Sequence, residues 1–253
     1  MRGETATDRS VFRITGEEAR DFLQNLVTND VAGLKDGLVY AALLSPQGKY
    51  LADFFLVPHG DAVLLDVKTD LSADLLRRLT MYRLRSKVVI EAVDLPVTRG
   101  LGDAPEGAFA DPRDPALGWR AYGRAGGEPA TDWDAIRVAR LVPETGIELQ
   151  PNETYVLEAG FERLRGVDFR KGCYVGQEVT ARMKHKTELK KGLARVSVEG
   201  AAEPGAEITA KGKPAGVLHT RAGNAAIAYL RFDRAGDEME AGSAVLRTLG
   251  GPD

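Results

Sequence analysis

From Gly192 onward the chain is a series of short apolar runs, at 193–198, 206–210, 215–219, 225–232 and 244–249, each bounded by Gly, Pro or Asn. Runs of that length, separated by residues that turn the chain, are strands rather than helices. A tract of many short strands must manage its edges, and a small closed barrel or a sandwich does so. We therefore expect a small C-terminal barrel or sandwich at 191–253, with a boundary near Lys190 and a differently built region at 1–190.

That first region mixes two periodicities. A short strand at 10–14 leads into Thr15-Gly16-Glu17-Glu18, which has the form of a capping box. Ala19, Phe22, Leu23 and Leu26 then share one helical face. Strand-like runs at 38–44 and 50–57 are joined by a turn holding Pro46 and Gly48, and 62–67 continues the pattern. Asp70 is placed to cap a second helix with Leu71, Leu75, Leu76, Leu79 and Tyr82 on one face, and 88–93 returns as a strand. This order predicts an α+β domain with helices on one face of a sheet. Short strands are expected near 97–101 and 119–122. A third helix starts at 131–134 and runs to about Leu141. Residues 144–169 have weak periodicity and read as loop, and a fourth helix spans about 177–185.

The stretch Lys171-Gly172-Cys173-Tyr174-Val175-Gly176-Gln177-Glu178 holds the only cysteine of the 253 residues. A thiol acts as nucleophile or metal ligand in its thiolate form, which nearby cations and a helix N-terminus favour. Arg170, Lys171 and the helix that follows supply both in sequence. The competing reading is a small buried hydrophobe. Around the cysteine, residues 161–191 carry nine Lys/Arg against four Asp/Glu, although the whole chain has a net charge of −3. The acidic total argues against a nucleic-acid binder. The local excess is either a solvated helix face or a docking patch for an anionic ligand or partner.

Other chemistry is missing from the sequence. His59, His185 and His219 are scattered and no paired-cysteine spacing exists, so no metal site is expected. An iron–sulfur cluster takes four protein ligands, mostly cysteines, and this chain offers one. There is no P-loop or Gly-x-Gly-x-x-Gly after a strand, and no nucleophile elbow. The longest apolar runs fall short of a membrane span. With no signal-peptide core and a lone cysteine, the expected location is the cytoplasm.

Three phrases together resemble a known family. Phe22-Leu23-Gln24-Asn25-Leu26-Val27-Thr28-Asn29-Asp30-Val31 resembles the first-helix signature of the YgfZ family of folate-binding proteins. Asp111-Pro112-Arg113 with Leu117-Gly118-Trp119-Arg120 is similar to its middle segment. Lys171 to Glu178, continued by Thr180-Ala181-Arg182, resembles its hallmark, in which the cysteine is the distinguishing residue. The family is similar in fold to the glycine cleavage T-protein, a tetrahydrofolate-dependent aminomethyltransferase. The resemblance implies a folate-binding region with a ferredoxin-like subdomain and further mixed sheet at 1–190, followed by a C-terminal β-barrel domain at 191–253. It further implies a role in assembling or repairing iron–sulfur clusters, above all four-iron clusters of radical enzymes and dehydratases. Tetrahydrofolate or another folate is the implied cofactor, and assembly factors or client enzymes are the implied partners. A monomer is expected, without nucleic acid or membrane.

The implied site centres on Cys173 and Lys171, with Gly172, Tyr174, Gly176, Gln177, Glu178 and Arg182 as motif neighbours. Asp53, Asn25, Arg113 and Trp119 are the implied folate contacts. Asp53 stands where related transferases use a hairpin aspartate against the pterin, and its bland alternative is a surface-facing strand residue. Trp119 and Trp133 either stack on a flat ligand or pack in the core. Arg113, Arg120 and the basic run suit the glutamate tail of a folate. The transferases' asparagine after the next strand is replaced here by Asp66-Val67-Lys68, which weighs against glycine-cleavage activity. Two other functions stay open: a tetrahydrofolate-dependent one-carbon transferase, and a non-enzymatic docking module using Lys184, Lys186 and Lys190.

Overall fold

The computed structural model describes residues 3–185 and 188–250, so Lys186 lies outside the described residues. The chain forms two compact units, Met1–Ala130 with Glu162–Val179, and Thr131–Phe161 with Thr180–Asp253. Beside the expected cut at 190, the unit holding the barrel also takes in 131–161 and 180–190.

The first unit contains β1 (Glu4–Thr5), β2 (Arg9–Thr15), α1 (Ala19–Gln24), β3 (Val39–Leu44), β4 (Tyr50–His59), β5 (Ala62–Lys68), α2 (Thr69–Arg83) and β6 (Val89–Val93). It is completed by β7 (Val97–Gly100), β8 (Phe109–Ala110) and β9 (Trp119–Tyr122). Five strands form one antiparallel sheet in the order β3-β4-β5-β2-β6. Phe22, Leu23 and Leu26 around α1, and Leu75 and Leu79 of α2, join Ile14, Leu43, Phe54, Leu56 and Leu65 in its core. The neighbouring runs β3, β4 and β5 are buried on both faces, which is why they read as continuous apolar stretches. Alternation along β4 sends Phe54 to the core and Asp53 and Phe55 to the opposite face.

Two helix starts differ from expectation. Glu18 closes no capping box: its side chain makes no cap hydrogen bond, because the carboxylate accepts from the Lys87 backbone N–H at 2.5 Å across the sheet end. α2 begins one residue before Asp70, which lies in its first turn and makes no side-chain cap. There its charge favours the positive end of the helix dipole.

β1-β7-β9-β8 make a second, four-stranded antiparallel sheet. Trp119 is 2% exposed within it. A Cβ placed on Gly100 would lie 2.4 Å from the Trp119 ring, so this strand pair admits the indole only because residue 100 is glycine. Trp119 is core packing, and the expectation that it stacks on a ligand is corrected.

The second unit holds α3 (Trp133–Arg140), most of α4 (Gln177–His185) and six strands: β10 (Lys191–Glu199), β11 (Glu207–Ala210), β12 (Lys213–Ala222), β13 (Ala225–Arg231), β14 (Met239–Ala241) and β15 (Ala244–Thr248). The strands close a barrel in the order β10-β13-β12-β11-β14-β15, around Val196, Val198, Ile208, Leu218, Leu230 and Leu246. β14 has three residues and escaped the strand pattern for that reason. Asp132 caps α3 by accepting from Ala135 N. α3 packs on β12 and β13, and its buried Arg137 donates to Glu148 at 3.2 Å and to Thr220 Oγ1 at 3.0 Å. This contact explains why 131–161 belongs with the barrel. Among the described residues, no helix is long and apolar enough to cross a membrane.

Candidate functional site

The cysteine loop is fixed at two points. Lys171 is buried, and its Nζ donates to the carbonyls of Gln24 at 2.7 Å, Val27 at 2.5 Å and Asn29 at 3.1 Å. An ammonium has three protons, and these carbonyls stand at the C-terminal end of α1, where backbone acceptors lack helical partners. Burial pushes the Lys171 amine down to about 8, with Asp30 and Asp168 pulling upward. Lys171 thus anchors the loop on the end of the first helix. The buried Tyr174 ring lies 5.2 Å from the same Nζ.

The second fixed point is Gly176, whose φ is +83°. A Cβ there would meet Ser45 O at 2.6 Å, on the β3–β4 hairpin. Val175 packs against the core of the large sheet, and Val179 faces Gly48 of the same hairpin. Between the anchors, Gly172 and Cys173 are exposed, and Gly172 has open space around it. Glu178 and Arg182 are also exposed, and Gln177 is half-buried at the start of α4. Gly176→Ala is therefore expected to cost about 1–3 kcal/mol through its strained backbone and the contact with Ser45. Gly172→Ala should stay within about 0.5 kcal/mol of wild type. Urea unfolding midpoints of the two variants decide this; equal midpoints would mean that the loop is not seated as described.

The first-helix signature stitches the same region together. Thr28 donates to Gly166 O at 2.6 Å and accepts from Ala42 N at 2.9 Å. Asn29 Nδ2 donates to Tyr40 O at 2.8 Å and Arg165 O at 2.6 Å. Asp30 accepts from Ala32 N, and Gln24 from Val31 N, each at 2.9 Å. These contacts tie the end of α1 to β3 and to residues 165–168. Asn25 itself is exposed at the C-cap of α1.

Behind the large sheet lies a buried polar layer that the sequence reading resolved only in part. Asp53 is 8% exposed and accepts from the Tyr40 hydroxyl at 3.0 Å and the Tyr50 hydroxyl at 2.6 Å. Burial and the Asp53 charge hold the Tyr40 hydroxyl protonated far above its ordinary range. Asp66 is fully buried and accepts from Arg9 Nε at 2.6 Å, Tyr122 at 2.8 Å and Arg120 at 3.4 Å. Asp111 takes Arg113 through both oxygens, at 3.0 and 2.8 Å, and Arg120 at 3.2 Å. Three guanidiniums surround the Phe55 ring, with Arg120, Arg113 and Arg9 at 4.1, 4.8 and 5.8 Å from its centroid. Asp66 and Asp111 each meet arginines, as the burial of a charge requires.

This layer tests the folate assignments. Asp53 is 8% exposed and each of its oxygens takes one tyrosine hydroxyl; a carboxylate oxygen has a second lone pair, of the kind that a pterin's N–H donors use. Arg113 and Arg120 do not suit a glutamate tail: both are turned inward onto aspartates, with side chains 9% and 7% exposed. The structure brings Asp53 and Arg113 into one layer, but not Asn25 or Trp119. Asp66 and Asp111 with their arginines were missed as a group. The available signal was an aspartate inside each of two apolar runs, Asp53 in β4 and Asp66 in β5, since such a charge must find a partner.

Residues 190–249 match the CAF17 C-terminal β-barrel domain family. The chain is 32% identical to the iron–sulfur cluster assembly factor IBA57, mitochondrial, of Homo sapiens, over 88% of this chain and 75% of that protein. It is 30% identical to the Mus musculus protein of the same name, over 89% of this chain and 76% of that one. The chain belongs to the IBA57 family of iron–sulfur cluster assembly factors. Its fold is that of the glycine cleavage system aminomethyltransferase T of Bartonella henselae, with a TM-score of 0.76, 14% identity and coverage of 99% of this chain and 86% of that one. Matches over 88% and 89% of the chain thus establish IBA57 as the family, while the motifs had suggested the YgfZ family. The cytoplasmic expectation is overturned, since these IBA57 proteins are named as mitochondrial.

Proposed function

We propose that the protein assists the assembly or repair of iron–sulfur clusters by offering Cys173 as a single sulfur ligand to a cluster shared with another protein. The observation that carries this reading is the setting of the thiol: it is exposed on a loop pinned by Lys171 on one side and Gly176 on the other. A reactive group on a supported loop meets an incoming partner in a defined place. Coordination requires the thiolate, so the thiol proton leaves to solvent as the sulfur binds iron. One cysteine cannot hold a cluster alone. Among the described residues, no three His, Cys, Asp or Glu side chains gather as a metal site. The cluster is accordingly cargo, and its remaining ligands belong to assembly factors or client enzymes. Activity of a four-iron client, measured in cells lacking the protein and given wild type or Cys173→Ser, tests the reading.

Folate is part of the proposal, with Asp53 as its contact. A bound tetrahydrofolate supplies a carrier for one-carbon units; this chain's share is to hold the pterin through the Asp53 carboxylate. Asp53→Asn is expected to weaken tetrahydrofolate binding roughly tenfold, as loss of a charged acceptor does, while Arg113→Lys leaves it nearly unchanged. Calorimetric titration of the two variants measures both. Equal affinity of wild type and Asp53→Asn would remove Asp53 from the folate reading.

A further inference from the structure

A cavity lies wholly within the barrel unit. It has a volume of about 290 Å³ and is lined by residues of 148–159 together with Leu193, Val217, His219 and Tyr229. Its floor is the outer face of the barrel. Leu193 pairs with Tyr229 across β10 and β13, and Val217 pairs with Tyr229 across β12 and β13, so the three stand side by side on one face. His219, two residues beyond Val217, continues the row. The backbone of 148–159 covers it, held in part by Leu193 N donating to Glu158 O at 2.8 Å.

The lining is chemically one-sided. Among the described residues it contains no lysine or arginine, but it does contain Glu148, Glu153 and Glu158. Glu148 is matched inside the unit by Arg137 and accepts from Thr220 N and Oγ1. Glu158 is different: the group that hydrogen-bonds its carboxylate is the neutral Tyr229 hydroxyl, at 2.7 Å. Burial and the Glu158 charge hold that hydroxyl protonated far above its ordinary range, so it remains a donor. The imidazole of the half-buried His219 makes no hydrogen bond among the described residues. Burial lowers its imidazole, against the pull of Glu148. The neutral ring presents one acceptor nitrogen. A carboxylate, a ring nitrogen and the apolar Leu193, Val217 and Ala159 therefore share one concave space, the ordinary make-up of a small-ligand site.

We propose that this cavity binds a small organic cation, a primary ammonium on a short alkyl chain, with the charge on Glu158 and the chain on Leu193 and Val217. The site shares no residue with the cysteine loop. The full chain is titrated with n-butylammonium and, as matched controls, n-butanol and butyrate, using calorimetry and ligand-observed NMR. Saturable binding of butylammonium in the millimolar range is expected, with butyrate excluded. Glu158→Gln keeps an acceptor for Tyr229 and should weaken binding roughly tenfold; His219→Leu, read independently, should weaken it several-fold. A blocked lysine amide binding more tightly than butylammonium identifies the natural occupant as a polypeptide side chain, and the reverse order identifies a free amine. The proposal is overturned if no probe saturates, if butyrate or butanol binds as well as butylammonium, or if both variants bind like wild type.

Discussion

Cells that lack the protein and receive the Cys173→Ser variant are expected to keep four-iron enzyme activity at the empty-vector level, while the variant accumulates and unfolds like wild type. The first half follows from chemistry. Iron–sulfur clusters select soft thiolate ligands, and a serine hydroxyl neither ionises at neutral pH nor binds iron comparably. The second half follows from position. Cys173 is exposed, and the loop is held by Lys171 and Gly176, neither of which the substitution touches. A surface change of this kind moves stability by no more than about 0.5 kcal/mol. Client activity and the unfolding midpoint, measured together, separate loss of the thiol from loss of the fold. Full restoration by the serine variant would sink the thiol account. If Asp53→Asn failed to restore activity in the same cells, a folate-centred one-carbon reaction would take its place.

The contrast between these two variants reflects what the sequence could express. Strand and barrel positions were legible because burial on one or both faces leaves a period in the chain: 215–219 and 225–232 read as strands before any pairing was known. The cysteine loop was legible as a motif, but its mechanics were not. Nothing near Lys171 in sequence announces the three carbonyls that receive its protons, because they belong to Gln24, Val27 and Asn29. Glu18 failed as a capping residue for the same reason, since its backbone partner, Lys87, lies far along the chain. Local patterns report on neighbours within a turn or two. The contacts that set this site are long-range and polar, and they leave no period.

The polar layer makes the largest prediction for stability. Asp66→Ala should destabilise the protein by about 3–5 kcal/mol, because removing one partner of a buried ion pair strands the others. Asp66 is fully buried, and its loss leaves Arg9 without the carboxylate that its Nε meets at 2.6 Å and takes one of two aspartates from Arg120. Asp66→Asn should cost less, since an amide oxygen still accepts from Tyr122. Acid acts through the same layer. Burial by itself raises the Asp111 carboxyl, but Arg113 and then Arg120 more than offset it, and hold it below its ordinary 3.8. The unfolded chain therefore binds this proton more readily than the folded one. The stabilisation is fully present above the ordinary value and is lost as pH falls through the lower, folded value. Asp111→Asn should consequently flatten the fall of the urea midpoint with acid below about pH 4, while lowering the midpoint at neutral pH. Unchanged acid dependence in that variant, with Asp66→Ala unfolding like wild type, would mean that the arginines around Phe55 find their countercharge in solvent rather than in these two aspartates.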